Sequence, residues 1–365
     1  MDADRSPSTL VIGLAFFSMF FGSGNLIFPL MLGARFESNF WLAALGFIVT
    51  AVILPTLGIL AMLPTSGHYE KLFLGLLPEK IFRYFFLIIL LFWIPLGSGP
   101  RCVVLAHASI KNYLAITPPL WLFSLLFLAL VYLCIRSQNR IIEILGKVLT
   151  PILLISILLM VITSFRRGVI NEAEFEVDQL GIFLDGLTEG YYTQDLIAAL
   201  FFSSTLVLML KPLISDRREA LIRAFRGGML AVLLLAIVYT ALMAASAVHA
   251  EYLRGLSGEV LISTLAHIAL GKTLGGISSI AVFLACFTTE VALMLVFADF
   301  LNNHLLHGQK RYQAMILSLL VVWVMSLFNF GGIMAIVGPA MKILYPLLFL
   351  LVIRLLWRSR KQMLP

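Results

Sequence analysis

Phe20-Phe21-Gly22-Ser23-Gly24-Asn25-Leu26-Ile27-Phe28-Pro29 lies in the middle of the first apolar segment, which runs from Thr9 to Leu32. That segment is long enough for one membrane span. Its centre nevertheless holds two glycines, a serine and an asparagine, and Pro29 removes a further backbone donor. Glycine costs about 1 kcal/mol in a helix interior, and an unpaired amide in hydrocarbon costs several kcal/mol more. A mere anchor has no use for such a sequence. The stretch reads as a helix opened on purpose where it faces protein or a watery cavity, and so as the first candidate binding site.

The composition agrees. The chain has 365 residues, 61% of them hydrophobic and 12% charged, with a mean hydropathy of +1.02. A soluble domain carries about 25% charged residues, so this class is excluded. Continuous apolar runs, without the alternation of an outer-membrane barrel, predict an all-α polytopic membrane protein. The net charge of +7 does not point to nucleic acid, because the basic residues fall in short loops between spans. Cys102, Cys134 and Cys286 stand apart within apolar segments and suggest neither a disulfide framework nor a metal site. No signal-peptidase motif follows the first apolar stretch, which therefore reads as a retained span.

Ten spans are expected, at 9–34, 40–63, 81–108, 118–136, 144–165, 181–210, 227–250, 274–298, 312–328 and 331–357. With the N-terminus inside, eighteen lysines and arginines fall on the cytoplasmic side and six outside. This asymmetry predicts that both termini are cytoplasmic. Of the two longer external segments, 166–180 carries Glu172, Glu174, Glu176 and Asp178, and 251–273 reads as a short amphipathic helix over an outer vestibule. Asn329-Phe330-Gly331-Gly332 reads as a tight turn. The whole chain, 1–365, is then one transmembrane domain.

Ten spans divide into two halves of five, about 9–165 and 181–357, and an odd number per half gives them opposite orientation. The sixth span, which opens the second half, is also interrupted, at Glu189-Gly190-Tyr191-Tyr192-Thr193-Gln194-Asp195. Paired interruptions at matching positions are the sequence mark of a transporter site between inverted repeats.

Each interruption offers its own chemistry. Amides around Gly22, Ser23, Gly24 and Asn25 open a new half-helix and suit a carboxylate. Carbonyls near Ser18 and Phe21 close the preceding half and suit a small cation. A plainer reading is a glycine-lined crossing with a proline kink. In the second break, carbonyls near Tyr191, Tyr192 and Thr193 suit an ammonium group, with an aromatic ring over an apolar side chain. Asp195 is costly at that depth and marks either function or a capping or pairing carboxylate.

The eighth span places Ala285, Thr288 and Thr289 on one face, as neutral oxygens suited to a hard cation. With Ser18 and Phe21 they complete a candidate sodium site. The plain alternative is threonines bonding back one turn. Glu290 is expected to point elsewhere. Arg101, after Gly97-Ser98-Gly99-Pro100, is expected to pair with Asp195 or Glu290, to gate the cavity or to snorkel to an end. Lys342 is the other cation within a span. His304 and His307 lie in a basic loop with no acidic partner in sight, which speaks against a metal pair. No nucleotide, redox-cofactor or nucleophile motif stands out, so no cofactor and no enzymatic activity are expected.

At these residues the chain resembles the branched-chain amino acid:cation symporter family, the bacterial branched-chain amino acid carriers. The resemblance rests on Phe20–Pro29, on Leu54-Pro55-Thr56-Leu57-Gly58 and on Gly99-Pro100-Arg101. It continues in Gly146-Lys147-Val148-Leu149-Thr150-Pro151-Ile152-Leu153, in Glu189-Gly190-Tyr191 with Asp195, and in Ala285–Thr289. It implies a leucine-transporter-type fold of five-plus-five inverted repeats in the bacterial cytoplasmic (inner) membrane. It also implies sodium-driven uptake of leucine, isoleucine or valine. Carried over by position, it puts the substrate carboxylate at Ser23 and Gly24. Sodium falls at the backbone of Ser18 and Phe21 with Ala285, Thr288 and Thr289.

Members of that family commonly carry two further C-terminal spans, continue the third-span motif as Arg-Thr where this chain has Arg101-Cys102, and place a small residue where it has Glu290. A changed coupling ion or substrate preference is compatible with these departures. The expectation is therefore a sodium-coupled amino-acid importer working by alternating access, with small-molecule substrate, sodium and lipid bilayer as partners and no nucleic acid. Proton coupling through Asp195 or Glu290 is the rival, and a nontransporting sensor or a channel is a more distant one. Nothing in the sequence sets an oligomeric state.

Overall fold

A computed structural model of the chain describes residues 7–62, 69–111, 113, 117–137, 141–172, 178–210, 214, 216–306 and 311–363. Among these residues every regular element is helical. In chain order the helices are α1 (Thr9–Phe20), α2 (Ser23–Phe36), α3 (Phe40–Ile48), α4 (Leu54–Met62), α5 (Tyr69–Leu74), α6 (Glu79–Trp93), α7 (Gly99–Lys111), α8 (Leu120–Ser137) and α9 (Ile141–Arg167). The second half of the chain supplies α10 (Gln179–Tyr192), α11 (Asp195–Leu210), α12 (Arg217–Val248), α13 (Ala250–Leu253), α14 (Gly258–His304), α15 (Arg311–Ser326) and α16 (Asn329–Met363). Five continuous helical stretches are long and apolar enough to cross a membrane: Ser23–Met62, Glu79–Lys111, Arg218–Val248, Gly258–His304 and Asn329–Trp357.

Apolar residues such as Leu10, Leu130, Ile155, Leu233, Ile277 and Leu350 lie on the outer surface. An outward apolar face is what a lipid solvent requires, and the helices keep their backbone polar groups away from it. Without a hydrophobic drive between helices, close backbone approach carries the packing. Gly33 of α2 abuts the Met243 carbonyl of α12. Gly46 of α3 abuts the Phe183 carbonyl of α10, while Gly186 of α10 abuts the Ala43 carbonyl of α3. The last two form a reciprocal glycine seam, and a Cβ at either position would overlap the facing backbone.

Two π-helical turns lie inside otherwise continuous helix. Val49–Ile53 joins α3 to α4, and Ile94–Ser98 joins α6 to α7. Such turns are frequent at functional positions, and the second directly precedes Arg101.

The segment 251–273 is helical in the end of α13 and again in the first part of α14, which kinks at Gly271 (φ 74°, ψ −172°), rather than in one separate short helix. Gly258 at the start of α14 lies against Ile27 of α2 and Phe330 of α16. The expected turn at Asn329–Gly332 sits earlier. The chain turns at Leu327 and Phe328, and Asn329 (φ 55°) already opens α16, because its side chain tolerates left-handed backbone where Phe328 does not. Glu174 and Glu176 of the acidic external segment lie outside the described residues. Asp178 caps α10, its Oδ1 accepting from the Gly181 amide at 3.0 Å.

Gly186→Leu should lower the thermal unfolding midpoint of the purified protein, since overpacking a tight seam costs about 1–3 kcal/mol or more. Gly331→Ala, where nothing lies within 4 Å of an added Cβ, should leave that midpoint unchanged in the same melt.

Candidate functional site

Both expected interruptions are present. α1 stops at Phe20 because the Gly22 amide, which would reach Ser18 O in a continued helix, turns to Phe20 O (2.8 Å) and to Asn25 Oδ1 (3.0 Å). α2 then starts at Ser23. The second break is narrower than the sequence suggests. α10 continues through Tyr192, and only Thr193 and Gln194 separate it from α11. Gln194 takes left-handed backbone (φ 66°) although it is not glycine. Such strain persists where the surroundings over-determine it.

The two breaks touch. A Cβ on Gly24 would stand 3.2 Å from Thr193 Cα. Asn25 makes the direct link: its Nδ2 donates to Asp195 Oδ1 (3.1 Å) and Oδ2 (3.0 Å), while its Oδ1 holds the Gly22 amide. Tyr239 of α12 donates to Asp195 Oδ2 (2.8 Å) and also contacts Asn25 Nδ2. Asp195, 1% exposed, is thus the pairing carboxylate of the bundle. Its other duty is local: its amide donates to Thr193 Oγ1 (3.4 Å), while Thr193 Oγ1 donates to Gly190 O (2.8 Å). The next amide, Leu196, donates to the Tyr345 hydroxyl at 2.9 Å.

Arg101 differs from expectation. It is 1% exposed, which rules out snorkelling, and it forms no ion pair with Asp195 or Glu290. Instead Nη1 donates to Tyr192 O (2.7 Å), and Nη2 donates to Gln194 Oε1 (2.6 Å) and Ser98 Oγ (2.8 Å). The guanidinium therefore occupies a carbonyl of the second break that the sequence offers to an ammonium group. Gln194 is the residue that reading the sequence missed as a participant. Its amide oxygen also accepts from Ser98 Oγ (2.9 Å) and ties α7 to the break.

Aromatic rings line the same space. Phe28 lies 5.9 Å from both Tyr192 and Phe330, and Tyr191 packs on Tyr345 at 4.8 Å.

On α14, Thr288 Oγ1 donates to Ala285 O (3.0 Å), whereas Thr289 Oγ1, although buried, has no hydrogen-bond partner among the described residues. Thr289 stands over the first break: a Cβ on Gly22 would be 3.1 Å from its Cγ2. The structure thus brings Thr289 of α14 beside the first break. Neutral hydroxyl and carbonyl oxygens there fit the donor set a sodium ion prefers.

Glu290 does point away from this face, but into protein. Its carboxylate is fully buried against Gly99, both oxygens 3.1 Å from where a Cβ would be, and neither is hydrogen-bonded. Cys102 and Cys286, far apart in sequence, are both buried near this seam, with Cys102 Sγ 3.6 Å from Ser23 Oγ. His304 has an acidic partner after all, Glu70 at 3.1 Å, supplied by α5 across 234 residues of sequence; His307 lies outside the described residues. Lys342 is exposed.

Residues 5–363 match the family model described as "Branched-chain amino acid transport protein". Proteins of Staphylococcus aureus strains USA300 and bovine RF122, provisionally named branched-chain amino acid carrier proteins, are 29% identical to the chain over 378 residues. The alignment covers 96% of this chain and 82% of theirs. Among solved structures, MhsT in complex with L-phenylalanine matches with a TM-score of 0.64 at 19% identity, over 96% of this chain and 88% of that one. A Na+-coupled sialic acid symporter matches at 0.59 and 13% identity, over 93% and 78%. At these identities the likeness speaks for the fold alone.

Asn25→Ala should lower the unfolding midpoint more than Tyr239→Phe does. The first leaves a buried carboxylate short of donors and frees the Gly22 amide, a cost of about 3 kcal/mol, against roughly 1–2 kcal/mol for one lost hydroxyl. Amide hydrogen exchange at Gly22–Asn25 should accelerate in Asn25→Ala and stay slow in Tyr239→Phe.

Proposed function

The chain belongs to the branched-chain amino acid transport protein family, and on that premise we propose that it imports leucine, isoleucine or valine by sodium-coupled symport with alternating access. The observation that carries this reading is the Asn25–Asp195 bridge between two broken helices. Two half-helix ends held face to face present amides and carbonyls to one small volume, the arrangement a zwitterion and a cation require.

In this reading the whole chain is a single transmembrane domain. It has ten spans as two inverted repeats, about 9–165 and 181–357, in the bacterial cytoplasmic membrane with both termini cytoplasmic. The amino acid lies between Gly22–Asn25 and Tyr191–Thr193. Sodium lies at the backbone of Ser18 and Phe21 with Ala285, Thr288 and Thr289; the unpartnered Thr289 hydroxyl supports that position. The ion offsets the partial negative charge at the end of α1 and holds α14 to the first break. Substrate then closes the space between the breaks, and the bundle rocks about it. Phe28, Tyr192 and Phe330 give the side chain an apolar wall. An apolar wall separates one methylene by only about 1–3 kcal/mol, so all three aliphatic amino acids compete.

Proton coupling is the second reading, and the observation in its favour is the buried Glu290 carboxylate with neither oxygen bonded. Uptake of labelled leucine into proteoliposomes separates the two. Accumulation is expected with an inward sodium gradient at equal pH; accumulation that follows a pH gradient and ignores sodium overturns the sodium reading.

Thr288→Val and Thr289→Val together should raise the sodium concentration for half-maximal uptake about tenfold or more, the loss of one or two ligand oxygens. Unchanged sodium dependence in that double variant would place the ion elsewhere.

A further inference from the structure

Arg101 holds its positive charge against the second break, and among the described residues no carboxylate lies within ion-pair distance of it. Its oxygen acceptors, Tyr192 O, Gln194 Oε1 and Ser98 Oγ, are all neutral, and among the described residues its Nε has no partner. Asp195 is nearby but spends both oxygens on Asn25 and Tyr239. Glu290 lies against Gly99, two residues earlier on α7, and forms no ion pair with it. A buried guanidinium with no carboxylate in direct contact is costly, and such residues within a bundle mark binding sites or relays.

The surroundings say what kind of anion fits. The Phe28 ring lies 5.5 Å from the guanidinium carbon, and Met334 Sδ is 4.0 Å from Nη1. The following residue, Cys102, reaches Ser23 at the first turn of α2. The guanidinium thus lies over an apolar ring of α2, and its neighbour in sequence touches the first turn of that helix. A small molecule with one carboxylate and a short aliphatic chain matches both features. Guanidinium is also the side chain whose planar fork suits a carboxylate.

We propose that Arg101 receives the carboxylate of the transported amino acid, together with the first amides of α2. This rests on the reading of the chain as an amino-acid carrier and adds to it the residue that distinguishes amino acid from amine. The carboxylate competes with Tyr192 O and Gln194 Oε1 for the same N–H groups, so binding also loosens the hold of Arg101 on the α10–α11 break.

The test compares leucine with 3-methylbutylamine, which keeps the side chain and the amino group but lacks the carboxylate. Dissociation constants for both are measured on the purified full-length protein, on Arg101→Gln and on Arg101→Lys. In the unaltered protein leucine should bind at least tenfold more tightly than the amine. In Arg101→Gln the leucine affinity should fall roughly 10- to 100-fold, as for a lost charge-assisted bond, and the amine affinity should not fall, so that the preference disappears. Arg101→Lys, which keeps the charge and remains informative if the glutamine variant does not fold, should keep part of the preference. A preference for leucine that survives in Arg101→Lys and in Arg101→Gln, with both ligands weakened equally, would assign Arg101 a structural role and overturn the proposal. Failure of the unaltered protein to bind any branched aliphatic amino acid would instead overturn the carrier reading beneath it.

Discussion

Asn25 is the side chain on which the centre of this molecule depends. Its oxygen takes the Gly22 amide that the broken first helix has released, and its nitrogen holds the carboxylate that opens α11. One short polar side chain thereby settles two problems set by the membrane. The first is an amide with no helical partner in a medium where water cannot replace it. The second is a carboxylate at a depth where ionised groups are scarce. Because both solutions pass through the same residue, the two breaks cannot separate without exposing an unsatisfied group. Tyr239 adds α12 to the cluster and makes it a three-helix junction.

The buried charges divide along the same lines. Asp195 is matched by donors from two helices and acts as a clasp. Among the described residues, Arg101 is hydrogen-bonded but touches no carboxylate, and Glu290 has neither a hydrogen bond nor an ion pair. In a low-dielectric interior such imbalance is expensive. Ionisable groups so placed within a bundle are functional candidates by default. Gly24 lets the first break approach Thr193, and Gly99 makes room for Glu290.

The first break was legible to within a residue, because Gly22, Ser23, Gly24 and Asn25 contradict the apolar period around them. The second was legible only as a region. Its glycine, Gly190, turned out to serve packing against Thr50, and the actual break fell at Thr193–Gln194, where no breaker residue stands. Gln194 was invisible as a participant because a polar residue beside a break has no spacing rule to reveal its partner. The pairing of Arg101 with an acidic residue was the reasonable expectation from charge. The observed partners are a backbone carbonyl and an amide, which sequence cannot nominate. His304 failed in the opposite sense: Glu70, which answers it, lies on α5, 234 positions away.

The sequence alone determined that this is a polytopic helical membrane protein opened near Gly22 and again near Asp195. Those properties are written in hydropathy and local backbone chemistry, both of which act over a few neighbouring residues. Only the tertiary structure decided which polar groups answer one another: Asn25 with Asp195, Arg101 with Tyr192 and Gln194, Glu290 with no partner among the described residues. The physical reason is range. In lipid the identity of a buried partner depends on which helices close backbone contacts bring together. Seams such as that of Gly46 and Gly186 are set by shape across the whole bundle, not by any period along the chain.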